Sequence, residues 1–353
     1  MRRVVRVLLG VIAVALLVAF AALVVFTGSP LGRERVRQIG LDAVRSVLKG
    51  EIDVERLEGN LLDRFSLVNV SIADEQGRPF LAAERMNVRL AIAPLFSKRI
   101  VITQLELFGP VITMARRADG TWNFSHIFPT ADTARADTTL GFGSWVELRE
   151  VRVENGTLVV HQPFPTDESM SRAARDSAIA AALAGETRVR VERTPSGLRQ
   201  TMDFREINAR IPRLVVAHPD SEAIALRVAR LSMRATPFRA PDLAVHDLRG
   251  DVRIGEDTIA LRDVALRLPD SRLAGTITYH VSAGDVDVDV EGDTIAFADL
   301  RALYPPLPER GGGRLHLRAA VRSTGTNEVN VTNLRLGVDD ARIEGRLGVT
   351  GDA

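Results

Sequence analysis

The sequence predicts a mainly β protein, in which one N-terminal membrane-spanning helix is followed by an elongated, repetitive antiparallel sheet. Three observations carry this. An uncharged apolar run fills positions 7–26, apolar and charged residues alternate again and again after Gly50, and one strand–turn–strand unit recurs.

The 353 residues suffice for one large or two ordinary domains with a sizeable core. A formal net charge of +1 supplies no bulk field to recruit nucleic acid, and none is expected as a partner. Lys49 and Lys98 are the only lysines, so nearly all positive charge is arginine. The absence of cysteine excludes disulfides, thiolate metal sites and a cysteine nucleophile. Aromatic residues make up 5%, few for a surface that stacks bases or sugars.

Arg2, Arg3 and Arg6 precede the apolar run, and Thr27-Gly28-Ser29-Pro30 ends it. Twenty residues at about 1.5 Å each span about 30 Å, the hydrocarbon thickness of a bilayer. The run exceeds the roughly 7–15 residues of a signal-peptide core, and Ala19-Phe20-Ala21 lies inside it rather than after it. Residues 1–29 therefore read as a cytoplasmic tip and an uncleaved anchor, with Val7, Leu8, Leu16, Leu17, Phe20, Leu23 and Phe26 facing lipid. Residues 30–49 follow as an amphipathic segment, helical over about 31–49. Val36, Ile39, Ala43, Val47 and Leu48 oppose Arg33, Arg35, Arg37, Arg45 and Lys49, and Gly50 is the expected stop. Such a helix either lies on the lipid surface or caps the sheet that follows.

From Gly50 the period becomes two. Val286, Val288 and Val290 alternate with Asp285, Asp287, Asp289 and Glu291. Leu315, Leu317, Ala319 and Val321 alternate with Arg314, His316, Arg318 and Arg322. Val189 and Val191 lead through Thr194-Pro195-Ser196-Gly197 to Leu198, Met202 and Phe204, a hairpin signature. Each such strand has one apolar and one charged face. The phase slips between Ile259/Leu261 and Val264/Leu266/Leu268. Either a bulge at Arg262-Asp263 restores one face, or the strand crosses between two sheets.

Residues 259–275 resemble residues 329–345, with Asp270, Arg272 and Gly275 matching Asp340, Arg342 and Gly345. Shorter versions occur at 148–160, where Asn155-Gly156 reads as a hairpin turn, and at 67–81 around Gly77. Repetition favours an elongated stack. Residues 129–139 read as a loop. A short helix is expected over 167–184, capped by Thr166 with Gly185 beyond it, and a loop over 304–313. The last unit carries no atypical cap, so the repeats are expected to continue in a longer protein. Periodicity leaves two ways to bury the apolar faces: two sheets packed together, or one sheet curled into a trough.

No catalytic constellation emerges, and an enzyme is not expected. The six histidines show no pair at zinc spacing. Asp285-x-Asp287-x-Asp289 lacks the glycine and glutamate of a calcium loop. Ser46-x-x-Lys49 has no companion motif, and Gly141-Phe142-Gly143 lacks the third glycine of a dinucleotide loop. No cofactor is expected.

The stretch 105–128, LELFGPVITMARRADGTWNFSHIF, resembles a hallmark of AsmA-like and TamB-like proteins: a strand, a proline, a second strand and a D-G-x-W-N turn. Pro110, Asp119, Gly120, Trp122 and Asn123 occupy its places. Upstream, Gly59, Leu61, Leu62, Asp74 and Gly77 match the family's first strands and its D-x-x-G turn. The likeness is good over the first 130 residues and looser over 240–353. The helical insert at about 161–187 departs from the pattern.

The resemblance implies a sheet curled into a β-taco-like groove. It implies a bacterial inner-membrane location with a single pass, the N-terminus cytoplasmic and the body periplasmic. The implied function is phospholipid transport between inner and outer membrane. The alternative is a scaffold for outer-membrane protein assembly, with an outer-membrane protein as partner. On this reading 50–128 is the family-like β-region, 129–240 a β-region with loop and helical insert, and 241–353 the repeated units. Val286, Val288, Val290, Leu315, Leu317, Val321, Leu266 and Leu268 would line the groove.

Overall fold

The computed structural model describes residues 50–59, 64–95, 97, 99–117, 120–123, 127, 145–164, 171–186, 190–195, 197–217, 224–236, 242–255, 257–280, 283–322, 325–338 and 340–352. The proposed anchor, the 31–49 helix, the 129–139 loop, Thr166 and Asp119 lie outside them. Among the described residues no helix is long and apolar enough to cross a membrane.

The alternating segments become sixteen strands. They are β1 (Gly50–Gly59), β2 (Phe65–Asp74), β3 (Pro79–Leu90), β4 (Ile100–Phe108), β5 (Val111–Ala115), β6 (Val146–Pro163), β7 (Arg190–Thr194) and β8 (Gly197–Ala217). There follow β9 (Ile224–Thr236), β10 (Leu243–Ile254), β11 (Thr258–Arg267), β12 (Arg272–His280), β13 (Asp285–Ala296), β14 (Gly312–Val321), β15 (Thr326–Val338) and β16 (Ala341–Asp352). Among the described residues three helices are bounded: α1 (Ile92–Leu95), α2 (Arg172–Ala184) and α3 (Phe297–Leu300).

All strands belong to one sheet, ordered β1-β2-β3-β4-β6-β8-β9-β10-β11-β12-β13-β14-β15-β16, with β5 between β3 and β6 and β7 on β8. Neighbours are antiparallel except where β6 runs parallel to β4 and β5. That exception corrects the purely antiparallel expectation. Strands β4 and β5 lie end to end on one line, and Pro110 between them has no N–H to give. The ladder is carried past it by Gly109 N–H donating to the Glu154 carbonyl and Thr157 N–H donating to the Pro110 carbonyl.

The hairpins at Gly77 and at 194–197 form as the sequence predicts. Asn155-Gly156 does not turn. It lies inside the 18-residue β6, where the register against β8 shifts between Val153 and Gly156 and Asn155 sits at φ 52°. Strands on both sides hold β6 along its length, so the pair makes a bulge. A Cβ on Gly156 would press on Val153 and Pro110. Gly312 and Gly313, expected in a loop, open β14 instead. Side chains there would overlap the carbonyl oxygens of Ile295 and Arg335, so only glycine lets these strands pair.

The phase slip at Arg262-Asp263 is a bulge: register shifts between Leu261 and Val264, with Asp263 at φ 50°. The repeat carries the same device at the equivalent place, where register shifts between Val331 and Leu334 and Asn333 stands at φ 52°. Asp and Asn are the non-glycine residues that tolerate this conformation best. The insert helix begins later than expected. Ser171, whose Oγ accepts from Ala174 N–H, is the N-cap, and Gly185 closes it at φ 88°.

Burial is concentrated in the first strands. Val54 and Val70 pack with Ile52, Leu67 and Met86. Val88, Leu105 and Val151 pack with Phe65, Ile102, Leu107, Leu148 and Ile211.

Candidate functional site: one continuous apolar face

Residues directly opposed on neighbouring strands project on the same side of a sheet. Following the register from strand to strand therefore traces what each face presents. Leu90 opposes Ile102, Ile102 opposes Leu148, and Leu148 opposes Leu214. The line goes on through Leu226, Val252 and Leu261 to Ile277. Val288, Ala319, Val329 and Val349 complete it. Twelve strands contribute, and every member is apolar. At about 4.8 Å per strand the line is about 50 Å long.

Parallel lines flank it. Val264, Gly275, Val290, Leu317, Val331 and Leu347 form one. Leu248, Leu266, Leu273, Gly292 and Leu315 form another. The bulges at Asp263 and Asn333 keep the two halves of their strands on this face. Seven of the eight lining residues read from the sequence lie on it. Leu268 stands at its margin: just past β11 it donates its N–H to the Ser271 carbonyl in a turn and is buried.

In the main line Leu90 through Val329 are half-buried and Val349 is exposed. A face packed on a second layer would be buried throughout. The register is what periodicity could not supply. Leu261 and Ala319 were legible as apolar strand positions but not as lining, and Leu90, Ile102, Leu148, Leu214, Leu226, Val252, Ile277, Val329 and Val349 were not legible as members of one face for that reason.

The opposite face is charged and paired. Ser66, Asn87, Glu106, Arg152, Arg210 and Arg230 stand in one line. Ser66 Oγ donates to Asn87 Oδ1 (2.8 Å), and Asn87 Nδ2 donates to Glu106 Oε2 (3.1 Å). Hydrogen bonds from Asn87 outweigh burial and hold the Glu106 carboxyl below its usual range. Asp289, a residue of the rejected calcium motif, receives His316 Nε2 (2.6 Å) and Arg318 Nε (3.0 Å). Asp287 receives Arg322 Nη2 (2.5 Å). Such exposed pairs contribute little singly, because water and salt screen them. Their consequence is a water-compatible back to the apolar face.

The residues of the family-like turn have a structural task. Asn123 is buried; its Nδ2 donates to the Thr113 carbonyl (2.7 Å) and its Oδ1 accepts from Ala115 N–H (3.0 Å). Gly120 stands at φ 84°, Trp122 bridges to Arg116, and Pro110 is fully buried. Asn123 thus satisfies backbone groups of β5. Asn123→Ala leaves both unpaired and is expected to cost about 2–3 kcal/mol, read as a lower urea midpoint at unchanged slope.

Among the described residues no group of three or more His, Asp and Glu side chains is placed to hold a metal ion. Comparison with known proteins finds no matching family model, no matching curated protein and no matching solved structure.

Proposed function

We propose that this protein conducts phospholipid acyl chains along its apolar face, through the water between the inner membrane that anchors it and the outer membrane. The unbroken apolar line over twelve strands, left half-open, is the observation that carries this reading. On it the sheet curls into a trough, each bulge bending its strand.

The chemistry of the face favours this occupant over a polypeptide. A sheet face offers no backbone hydrogen bonds, so an extended polypeptide laid on it would leave its own N–H and C=O groups unpaired, at a cost. An acyl chain has no such groups. Crossing water exposes it at about 0.8 kcal/mol per CH₂, tens of kcal/mol for two chains, and an apolar trough removes that penalty without a catalytic residue. The run at 7–26 supplies the anchor, and the resemblance of residues 105–128 to AsmA-like and TamB-like proteins points the same way.

One observation favours the assembly-scaffold reading. Ile343, Leu347 and Val349 on β16 are exposed, and the outer edge of β16 is unpaired among the described residues. Such an edge can pair with a further strand, whether a partner's or the next repeat's.

The test is photo-crosslinking in cells with p-benzoylphenylalanine at Val329 on the apolar face or at Asp289 on the other. A phospholipid mass adduct at 329 and none at 289 is the expected result. No lipid at 329 overturns the conduit, and a polypeptide adduct at Thr350 would then put the scaffold first.

A further inference from the structure

The two long margins of the apolar face differ. At one, Ile254, Ile259, Tyr279, Val286 and Val321 oppose one another at the strand ends. Ile254 (37%), Tyr279 (36%) and Val321 (43%) are among the most exposed apolar residues of the sheet. At the other margin Ala235, Val245, Leu268, Ile295 and Phe297 are buried.

Specific contacts seal the second margin. Helix α2 packs on β7, with Ala182 and Val191 buried. Helix α3 packs on β10 and β13. Ser271 Oγ accepts from Ala296 N–H (2.9 Å), and Asp299 Oδ2 accepts from Asp270 N–H (2.9 Å). The same side holds Asp74 and Ile127, both fully buried. From β10 to β14 one margin is thus closed and the other open, whereas on the first strands α1 packs on β4 at the latter margin.

Resting on the conduit reading, we infer that a bound phospholipid lies along the strands, tails toward the closed margin and headgroup in water at the open one, beside Ile254, Tyr279 and Val321. Dimensions agree. Ile254, Val252, Gly250 and Leu248 alternate along β10, and three two-residue steps cover about 20 Å. One leaflet's acyl layer is about 15 Å, half the bilayer core. Headgroups would ride along the open margin as tails move from strand to strand.

Charge placed at the open margin should therefore discriminate between lipids by headgroup. The full chain is inserted in vesicles of equal parts phosphatidylethanolamine and phosphatidylglycerol, with p-benzoylphenylalanine at Leu317, and adducts are identified by mass. Tyr279→Asp with Val321→Asp should lower the share of anionic adduct about threefold, and the corresponding Lys pair should raise it. Leu303→Asp and Leu303→Lys, exposed just beyond α3 on the closed side, should leave it unchanged. A share that follows position 303, or ignores positions 279 and 321, overturns the orientation while leaving the conduit standing. No lipid adduct in the unsubstituted chain overturns both.

Discussion

Replacing Val288 and Leu317 together by aspartate is expected to cut lipid adducts at Val349 at least tenfold while leaving those at Leu226 unchanged. The two residues sit on β13 and β14, which pair with each other, and both are half-buried on the apolar face. A tail passing two carboxylates loses apolar contact over about four CH₂ groups, about 3 kcal/mol. Since 1.4 kcal/mol is a factor of ten, that amounts to about two powers of ten. Leu226, on β9, lies on the near side of the break and Val349, on β16, on the far side. Undiminished adducts at Val349 would refute passage along the face. Asn330→Asp, at the position opposing Arg318 on the charged side, should change nothing.

Asp74→Ala is expected to cost about 3 kcal/mol, the low end for breaking a buried ion pair, and to lower the thermal midpoint by about 5 °C. Asp74 is fully buried at the end of β2. Arg78 Nη2 lies 2.7 Å from its Oδ2, and Arg117 Nη2 lies 3.1 Å from the same oxygen. Oδ1 accepts from the N–H groups of Gln76 and Arg78, each at 3.0 Å. Burial pushes the carboxyl upward, but the hydrogen bonds from Arg78 and Gln76 outweigh it and leave Asp74 below its ordinary value. With the folded value below the unfolded one, this stabilisation is complete above about pH 4. It is lost as pH falls through the folded value. Urea midpoints from neutral pH down to pH 2 should therefore converge for wild type and variant. A constant gap would mean that Asp74 acts by shape alone.

Val286, Val288 and Val290 declared a strand with one apolar face because side chains alternate at period two whatever the strand pairs with. The slip at Arg262-Asp263 was visible, yet bulge and sheet-crossing both stood open until pairing showed Leu261 and Val264 on one face. Asn155-Gly156 misled because turn propensity is local, whereas β6 is held along both sides by partners distant in sequence. Ser171 rather than Thr166 is the helix cap; Thr166, Asp167, Ser169 and Ser171 all have capping side chains, and local propensity does not choose among them.

By itself, then, the sequence determined the β class, the polarity of each strand's two faces, the hairpins at Gly77 and 194–197, and the repeat with its phase slip. These follow from side-chain alternation and turn stereochemistry, which act over a few residues. Only the tertiary structure decided that all sixteen strands share one sheet and that a single apolar line crosses twelve of them. It alone decided that from β10 to β14 one margin of that face is sealed while the other stays open. Register, strand order and helix docking are set by contacts between residues tens of positions apart, and no local period encodes them.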